Sequence, residues 1–500
     1  MQGARQVLDY ALQKNTLIDK KAIELLEGRE NFTELIDEAL SENPSDAVIT
    51  EERISQLIVR KDTKVSTTLM PSVFVEKGKK RFFRDEYKAN YRIMEESDIT
   101  GKSYSEGKIE DFLAYFRDKF SFLEPMLKKR QGFEPKPLSR IERSAKREIE
   151  FIAMVRDKRK SKNGHLLFVL EDMENELPAL VLKDDVKLFE KASGIMQDEV
   201  LGFKAVKSSN SELVIIKEVI WPDIPARNFK PIKEQLNIAC VSDTHVGSKM
   251  FLEKEFSKFI SWLSGSYGNG KEAEKVSRIK YLTITGDLCD GIGVYPEQIE
   301  ELAIKDINQQ YELFAEFIKQ VPESIEVFII PGNHDAVRRA DPQPALGKEF
   351  AKELHSLGNI HMLGSPSMVE IEGLKTLLYH GNSMHQINEA VPGMDMKKPN
   401  KTMEEMLKRR TLVPTYGLRY PIVPEKKDYL LIREVPDIFI TGDMHHNGYS
   451  NYKGTLCINA GAWQSTTKLQ VQLGHVPTPG ISPTIDLQTG KITENLFYQA

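Results

Sequence analysis

Five short stretches in the second half of the chain place metal-ligand side chains directly after an apolar run. "LNIACVSDTHVGS" carries Asp243 and His245, "IKYLTITGDLCDG" carries Asp287 and Asp290, and "FIIPGNHDAVRR" carries Asn333 and His334. "LKTLLYHGNSMH" carries His380, and "PDIFITGDMHHNG" carries Asp443, His445 and His446. An apolar, β-branched run that stops at a Gly or Pro turn reads as the end of a strand. In open α/β sheets, sites gather where the carboxyl ends of several strands converge. Asp243 and His245 are two residues apart, so a strand that persisted through them would project both from one side. A lone Asp-x-His or Gly-Asp is commonly a surface pair or a turn. Five in succession at equivalent strand ends read as one metal centre. Carboxylate, amide oxygen and imidazole together suit manganese, iron, zinc or nickel, whereas a magnesium site would not collect so many imidazoles. Two such ions sharing a carboxylate serve in-line displacement at phosphorus, so phosphoester hydrolysis is the chemistry to expect.

The elements that must position these groups follow from the rest of the chain. Its 500 residues, 40% of them hydrophobic, can bury more than one core, which predicts a multidomain α+β protein. From residue 229 to 500, strands and helices alternate as in a separate α/β domain, and nine of the ten histidines fall there. Residues 1–62 show helical periodicity in "KKAIELLEG", "FTELIDEAL" and "EERISQLIVRK", with Gly28 as a stop and Thr50 as a cap. This small helical domain holds no clustered catalytic groups and is read as a docking unit. Residues 63–147 read as a linker with one helix, "GKIEDFLAYFRDKFSFLEPML"; the charged "VEKGKKRFFRDEYKANYR" within it is taken as a solvated connector. Between 148 and 228, five short strand-like runs with a helix before the fourth match the plan of an oligonucleotide-binding (OB-fold) barrel. The basic loop from Arg156 to His165 is either a phosphate contact or a solvated hairpin tip.

Composition excludes some classes. A net charge of -5 argues against an indiscriminate nucleic-acid coat. No apolar run approaches the ~20 residues a membrane span needs, so a cytoplasmic protein with no membrane partner is expected. Cys240, Cys289 and Cys457 stand apart beside apolar runs and read as buried thiols of a reducing compartment rather than a zinc site.

The five stretches in this order resemble the calcineurin-like metallophosphoesterases, whose pattern D-x-H, G-D-x-x-D, G-N-H-D/E, H, G-H-x-H is matched by "DTH", "GDLCD", "GNHD", "HGN" and, imperfectly, "GDMH". The resemblance implies a β-sandwich flanked by helices. It implies that Asp243, His245, Asp287 and His445 hold a first metal ion, and Asp287, Asn333, His380 and Asp443 a second, with Asp287 bridging. It assigns His334 to the transition state or leaving oxygen, with Asp290 orienting its ring. Asp443 stands where that pattern has a histidine, and His446 is the substitute if the loop is shifted. The order helical piece, barrel, phosphoesterase domain resembles the small subunits of archaeal D-family DNA polymerases, relatives of the eukaryotic B-subunits. That likeness implies a 3'-to-5' proofreading exonuclease working with two divalent ions, Mn2+ foremost, on single-stranded 3' ends of DNA. It also implies a separate large catalytic subunit as partner, and a sliding clamp as a further one. The alternatives are a non-catalytic assembly subunit or a phosphatase of the same fold; protein phosphatases of this likeness carry Arg where this chain has Gly291. Trp463 is read as packing rather than as a base-stacking ring. The long segment from His385 to Asp428 is read as a lid, a partner contact or a surface excursion, with Arg419 and Lys427 directed at substrate backbone.

Overall fold

The computed structural model describes residues 2–498 other than 15, 30, 43–47, 64, 70–81, 144–145, 209–212, 269, 418–419 and 473. Four helices open the chain, Gln2–Gln13, Lys20–Leu26, Phe32–Glu42 and Glu51–Thr63, and close on their own core of Val7, Leu26, Leu35, Ile36, Ile54 and Leu57. Asp19 caps the second helix by accepting from Ala22 N at 2.7 Å. Thr50 caps the fourth, accepting from Arg53 N at 3.4 Å.

Five strands, Glu148–Lys160, Leu166–Glu171, Glu176–Val181, Val200–Lys207 and Val214–Ile220, form a closed barrel in which the fifth strand lies between the third and the fourth. Leu166–Glu171 buries every second residue, as a strand with one face inward must, and Phe151, Phe168 and Phe203 fill the interior. The helix Val186–Ser193, capped by Asp185, crosses between the third and fourth strands. The helix Ile109–Lys128 packs Phe120, Leu123 and Leu127 against the outside at Ile152, Met154 and Val200. Two cations of the basic hairpin are engaged: Arg156 pairs with Glu176, and Lys158 donates to Ser193 O at 2.8 Å. Arg159, Lys160 and Lys162 remain exposed.

The remaining strands build a sandwich. One sheet runs Ile360–Met362, Glu326–Ile330, Ile279–Thr285, Asn237–Val241, Ile481–Asp486, Ile492–Leu496 and Val65–Leu69, its first four strands parallel. The other runs Asn447–Tyr452, Thr455–Ala460, Ile438–Thr441, Leu374–Leu378, Ser367–Ile371 and Tyr91–Ile93. Between them lie Ile238, Cys240, Tyr281, Phe328, Ile330, Leu378, Ile440 and Ile458. Helices Glu253–Leu263 and Ile307–Ile318 cover the outer face of the first sheet through Phe256, Trp262 and Phe314. Helices Met384–Ala390 and Pro399–Arg409 cover the second through Ile387, Met403 and Met406. Ile279–Thr285 is buried at every position because helices and the partner sheet cover both faces. Cys240, Cys289 and Cys457 are buried and free.

Two expectations change. The stretch 63–147 is more than a linker with a helix: Val65–Leu69 and Tyr91–Ile93 each add an edge strand to a sheet, and Arg84 is buried, donating to Leu263 O at 2.6 Å and Val276 O at 2.8 Å. Strands of three to five residues in a charged context carry too little period to be read. Part of the supposed connector, "VEKGKKR", lies outside the described residues, as does Arg419. Part of the segment from His385 to Asp428, read as a lid, a partner contact or a surface excursion, forms a buried joint to the barrel, while residues 392–398 lie largely exposed. Arg409, fully buried, donates to Glu199 Oε1 at 2.7 Å and to Gly194 O at 2.7 Å, and Trp221 Nε1 donates to the same glutamate at 3.1 Å. Thr415 donates to Gln197 O at 3.0 Å and Lys119 to Pro414 O at 2.9 Å. Lys427 is turned to the carbonyl of Glu96 and over the Tyr429 ring rather than towards a substrate.

Candidate metal centre

The strands Asn237–Val241, Ile279–Thr285, Glu326–Ile330, Leu374–Leu378 and Ile438–Thr441 all end at one rim of the sandwich, and the five loops that follow meet there. The strand before Asp243 stops at Val241, so a continuing strand does not bring Asp243 and His245 together. Left-handed backbone does: φ is +51 at Asp243, +49 at His245, +50 at Asp287, +64 at Asp443 and +52 at His445. Five of the eleven positive-φ residues other than glycine among those described are therefore ligand candidates, which concentrates backbone strain at the site. Gly286, at φ +95, passes so near the His380 ring that a Cβ would overlap it.

Two groups of side chains converge at the rim, and a third, of His245, Asp287 and His334, spans them. Asp243, His245 and His445 form one, with His245 Nε2 3.1 Å from His445 Nε2 and Asp243 Oδ1 3.3 Å from His445 Nε2. Asp243, Asp287 and His380 form the other, with His380 Nε2 3.4 Å from Asp287 Oδ2, 3.1 Å from Asn333 Oδ1 and 3.7 Å from Asp443 Oδ1. Asp287 belongs to both neighbourhoods, since its Oδ2 is also 3.8 Å from His245 Nε2. Each inner imidazole is anchored by its outer nitrogen. His245 Nδ1 meets Asp290 Oδ1 at 2.9 Å, His380 Nδ1 meets Thr285 O at 2.7 Å, and His445 Nδ1 meets the Gln470 side chain at 2.8 Å. Their Nε2 atoms all point inward, the arrangement that outer partners impose on metal-binding histidines.

The cluster fits divalent cations on its own evidence. Asp243 Oδ1 is buried and accepts no hydrogen bond, and two imidazole nitrogens face each other at a distance that otherwise demands a proton between them. Burial alone would push Asp287 up, yet His380, His334 and His245 hold its carboxyl far below the usual carboxylate range. Burial likewise opposes ionisation of Asp443, but the His385 hydrogen bond and the His385 and His380 charges hold it low.

His334 reaches the cluster beside His245 and Asp287, but from its more open side. Its side chain is 15% exposed where Asp243, His245, Asp287 and His380 are at most 3% exposed, so it forms the open side of the cluster. Its Nδ1 meets the main-chain carbonyl of Asp290 at 2.7 Å, while the Asp290 carboxylate is turned to His245 and Gln464. The expected role of Asp290 thus divides: its carbonyl orients His334 and its side chain orients His245. Asp335, next in the motif, is a brace, accepting from Gly332 N at 2.8 Å and Tyr311 OH at 3.0 Å, and burial raises its carboxyl to about 6. His446 lies against the His475 ring at 4.7 Å rather than in the cluster. Trp463 is wholly buried among Phe256, Phe259 and Phe497.

Sequence reasoning did not single out His385, Gln298 or Gln470. Gln298 donates to Asp290 O at 2.7 Å and Oδ2 at 3.1 Å, bracing it from a loop eight residues on. Only His385, five residues past His380, left a readable signal, as a histidine that none of the five motifs uses.

Residues 238–450 match the family model for the B subunit of DNA polymerases alpha and epsilon. The chain is 41% identical to the DNA polymerase II small subunit of Methanocaldococcus jannaschii, over 81% of this chain and 68% of that protein. It is 39% identical to the DNA polymerase II small subunit of Methanothermobacter thermautotrophicus, over 80% of this chain and 82% of that protein. It is 34% identical to that of Archaeoglobus fulgidus, over 93% of this chain and 92% of that one.

Proposed function

Because the chain belongs to the family of archaeal DNA polymerase II small subunits, we propose that it is the accessory subunit of a replicative DNA polymerase whose large catalytic subunit is a separate chain. We propose further that its metal centre hydrolyses phosphodiesters at single-stranded 3' ends, as a proofreading 3'-to-5' exonuclease. The observation that carries this reading is the convergence of Asp243, His245, Asp287, Asn333, His380, Asp443 and His445 from five loops, with His334 on the open side.

Two divalent ions, manganese foremost by the family likeness, would be held by Asp243, His245, Asp287, Asn333, His380, Asp443 and His445 and would supply Lewis acidity at phosphorus and a lowered pKa for water. The chain's own groups do the rest. A carbonyl can only accept, so the contact with Asp290 O fixes a proton on His334 Nδ1. Burial opposes a charge on this imidazole while the Asp287 and Asp290 carboxylates raise it, and its Nε2 lies 4.0 Å from Asp287 Oδ2. A proton carried on Nε2 would pass to the 3' oxygen as it leaves, and the product is a nucleoside monophosphate.

The barrel supports a role in guiding the strand: its strand order and the helix between the third and fourth strands follow the OB-fold plan, and Arg159, Lys160 and Lys162 are exposed at one hairpin. Gly291 favours a nuclease over a protein phosphatase. At φ +75, a Cβ there would overlap the His334 carbonyl, so the Arg that marks the phosphatases has no room.

The test is incubation with Mn2+ and a 5'-labelled single-stranded oligonucleotide. The wild type should shorten it from the 3' end, and His334→Ala should do so about 10²–10⁴-fold more slowly. A wild type that assembles with the polymerase chain but shortens no substrate at any Mn2+ concentration would overturn the hydrolytic role and leave only assembly.

A further inference from the structure

His385, which helps to hold the Asp443 carboxyl low, borders the centre without belonging to any of the five motifs. It is the second residue of the helix Met384–Ala390, which starts directly after the loop bearing His380. Its Nε2 lies 3.3 Å from Asp443 Oδ2, while Asp443 Oδ1 lies 3.7 Å from His380 Nε2. The two oxygens of one carboxylate thus face opposite ways, Oδ1 into the cluster and Oδ2 out of it towards an imidazole.

The main chain of Asp443 is pinned independently: its N–H donates to Asp243 Oδ2 at 3.0 Å, and φ is +64. Those constraints leave the carboxylate plane free to turn. Beyond the His385 contact, Oδ2 has no hydrogen-bond partner among the described residues. Gly381 makes the approach possible, because a Cβ there would come within 3.1 Å of Asp443 Cβ. The Tyr420 ring lies near-parallel to His385, at 27° and 6.4 Å, and limits its swing. A ligating carboxylate fixed by an outer partner is the mirror of His245 fixed by Asp290 on the other side of the cluster.

We propose that His385 is a positioning residue for the second cation: it holds the Asp443 carboxylate so that Oδ1 faces His380. The inference rests on the two-cation reading above. It explains how an aspartate, with a shorter reach than histidine, is kept in register with His380 and Asn333.

Calorimetric titration of the full chain with Mn2+ tests it. The wild type should take up two ions in two steps, and His385→Ala should weaken one step about 10–100-fold and leave the other unchanged. His385→Gln, whose amide nitrogen reaches the place of Nε2, should keep both steps. The exchange variant His385→Asp with Asp443→His should recover the step that either single change loses. Two steps of wild-type strength in His385→Ala, or an exchange variant no better than its single changes, would overturn the inference alone. A wild type that binds fewer than two ions would overturn the two-cation reading, and this inference with it.

Discussion

Asp290 serves two histidines through different atoms, and that division can be tested one residue at a time. Asp290→Ala removes the oxygen on His245 Nδ1 but keeps the carbonyl on His334 Nδ1. It should therefore weaken Mn2+ binding about 10–100-fold, with activity restored by excess metal. His334→Ala should do the reverse, keeping both ions while losing rate, and measuring uptake and rate on the same preparations separates the two. The ligand types were legible in the sequence because each follows an apolar run. The split role of Asp290 was not, since a main-chain carbonyl contact leaves no mark in side-chain type. Nor were the left-handed angles at Asp243, His245, Asp287, Asp443 and His445, because Asp and His tolerate that region without specifying it.

Loops between strand and helix set the geometry, and their glycines carry the constraint. Gly286→Ala forces a residue with a Cβ to φ +95 and drives it into the His380 ring. A loss of at least ~1–2 kcal/mol of stability is expected from the backbone alone, seen as a lower melting temperature, together with weakened Mn2+ binding. The segment between His385 and Asp428 makes a separate prediction. Burial pushes the Asp428 carboxyl from the ordinary 3.8 up to about 6, against the pull of Lys119. The folded chain then keeps a proton that the unfolded chain releases, so the associated stability is present below about pH 4 and lost as pH rises through about 6. Asp428→Asn cannot ionise, and its unfolding free energy should fall by ~2 kcal/mol less than that of the wild type between pH 4 and pH 7. Denaturant titration at the two pH values checks this. The segment's length was visible in the sequence, but its burial against the barrel was not, because pairs such as Arg409 with Glu199 join residues 210 positions apart.

At the scale of the molecule, that joint ties the barrel to the sandwich. Arg409→Ala strands the buried Glu199 carboxylate and should cost ~3–5 kcal/mol, measurable as a fall in melting temperature; barrel and sandwich should melt apart where the wild type melts together. The alternation of strands and helices, the five-stranded barrel and the N-terminal helices could be read from periodicity. The edge strands at Val65–Leu69 and Tyr91–Ile93 could not, because they are completed by partners more than 270 residues away. Five strand ends nevertheless lead to the same rim, where Asp287 stands between two sets of candidate ligands. Anomalous diffraction at the manganese edge, from crystals grown with Mn2+, tests that arrangement most directly. Two peaks about 3.5–4 Å apart, one beside Asp243, His245 and His445 and the other beside Asn333, His380 and Asp443, are the expected result. A single peak, or none beside Asp287, would contradict it.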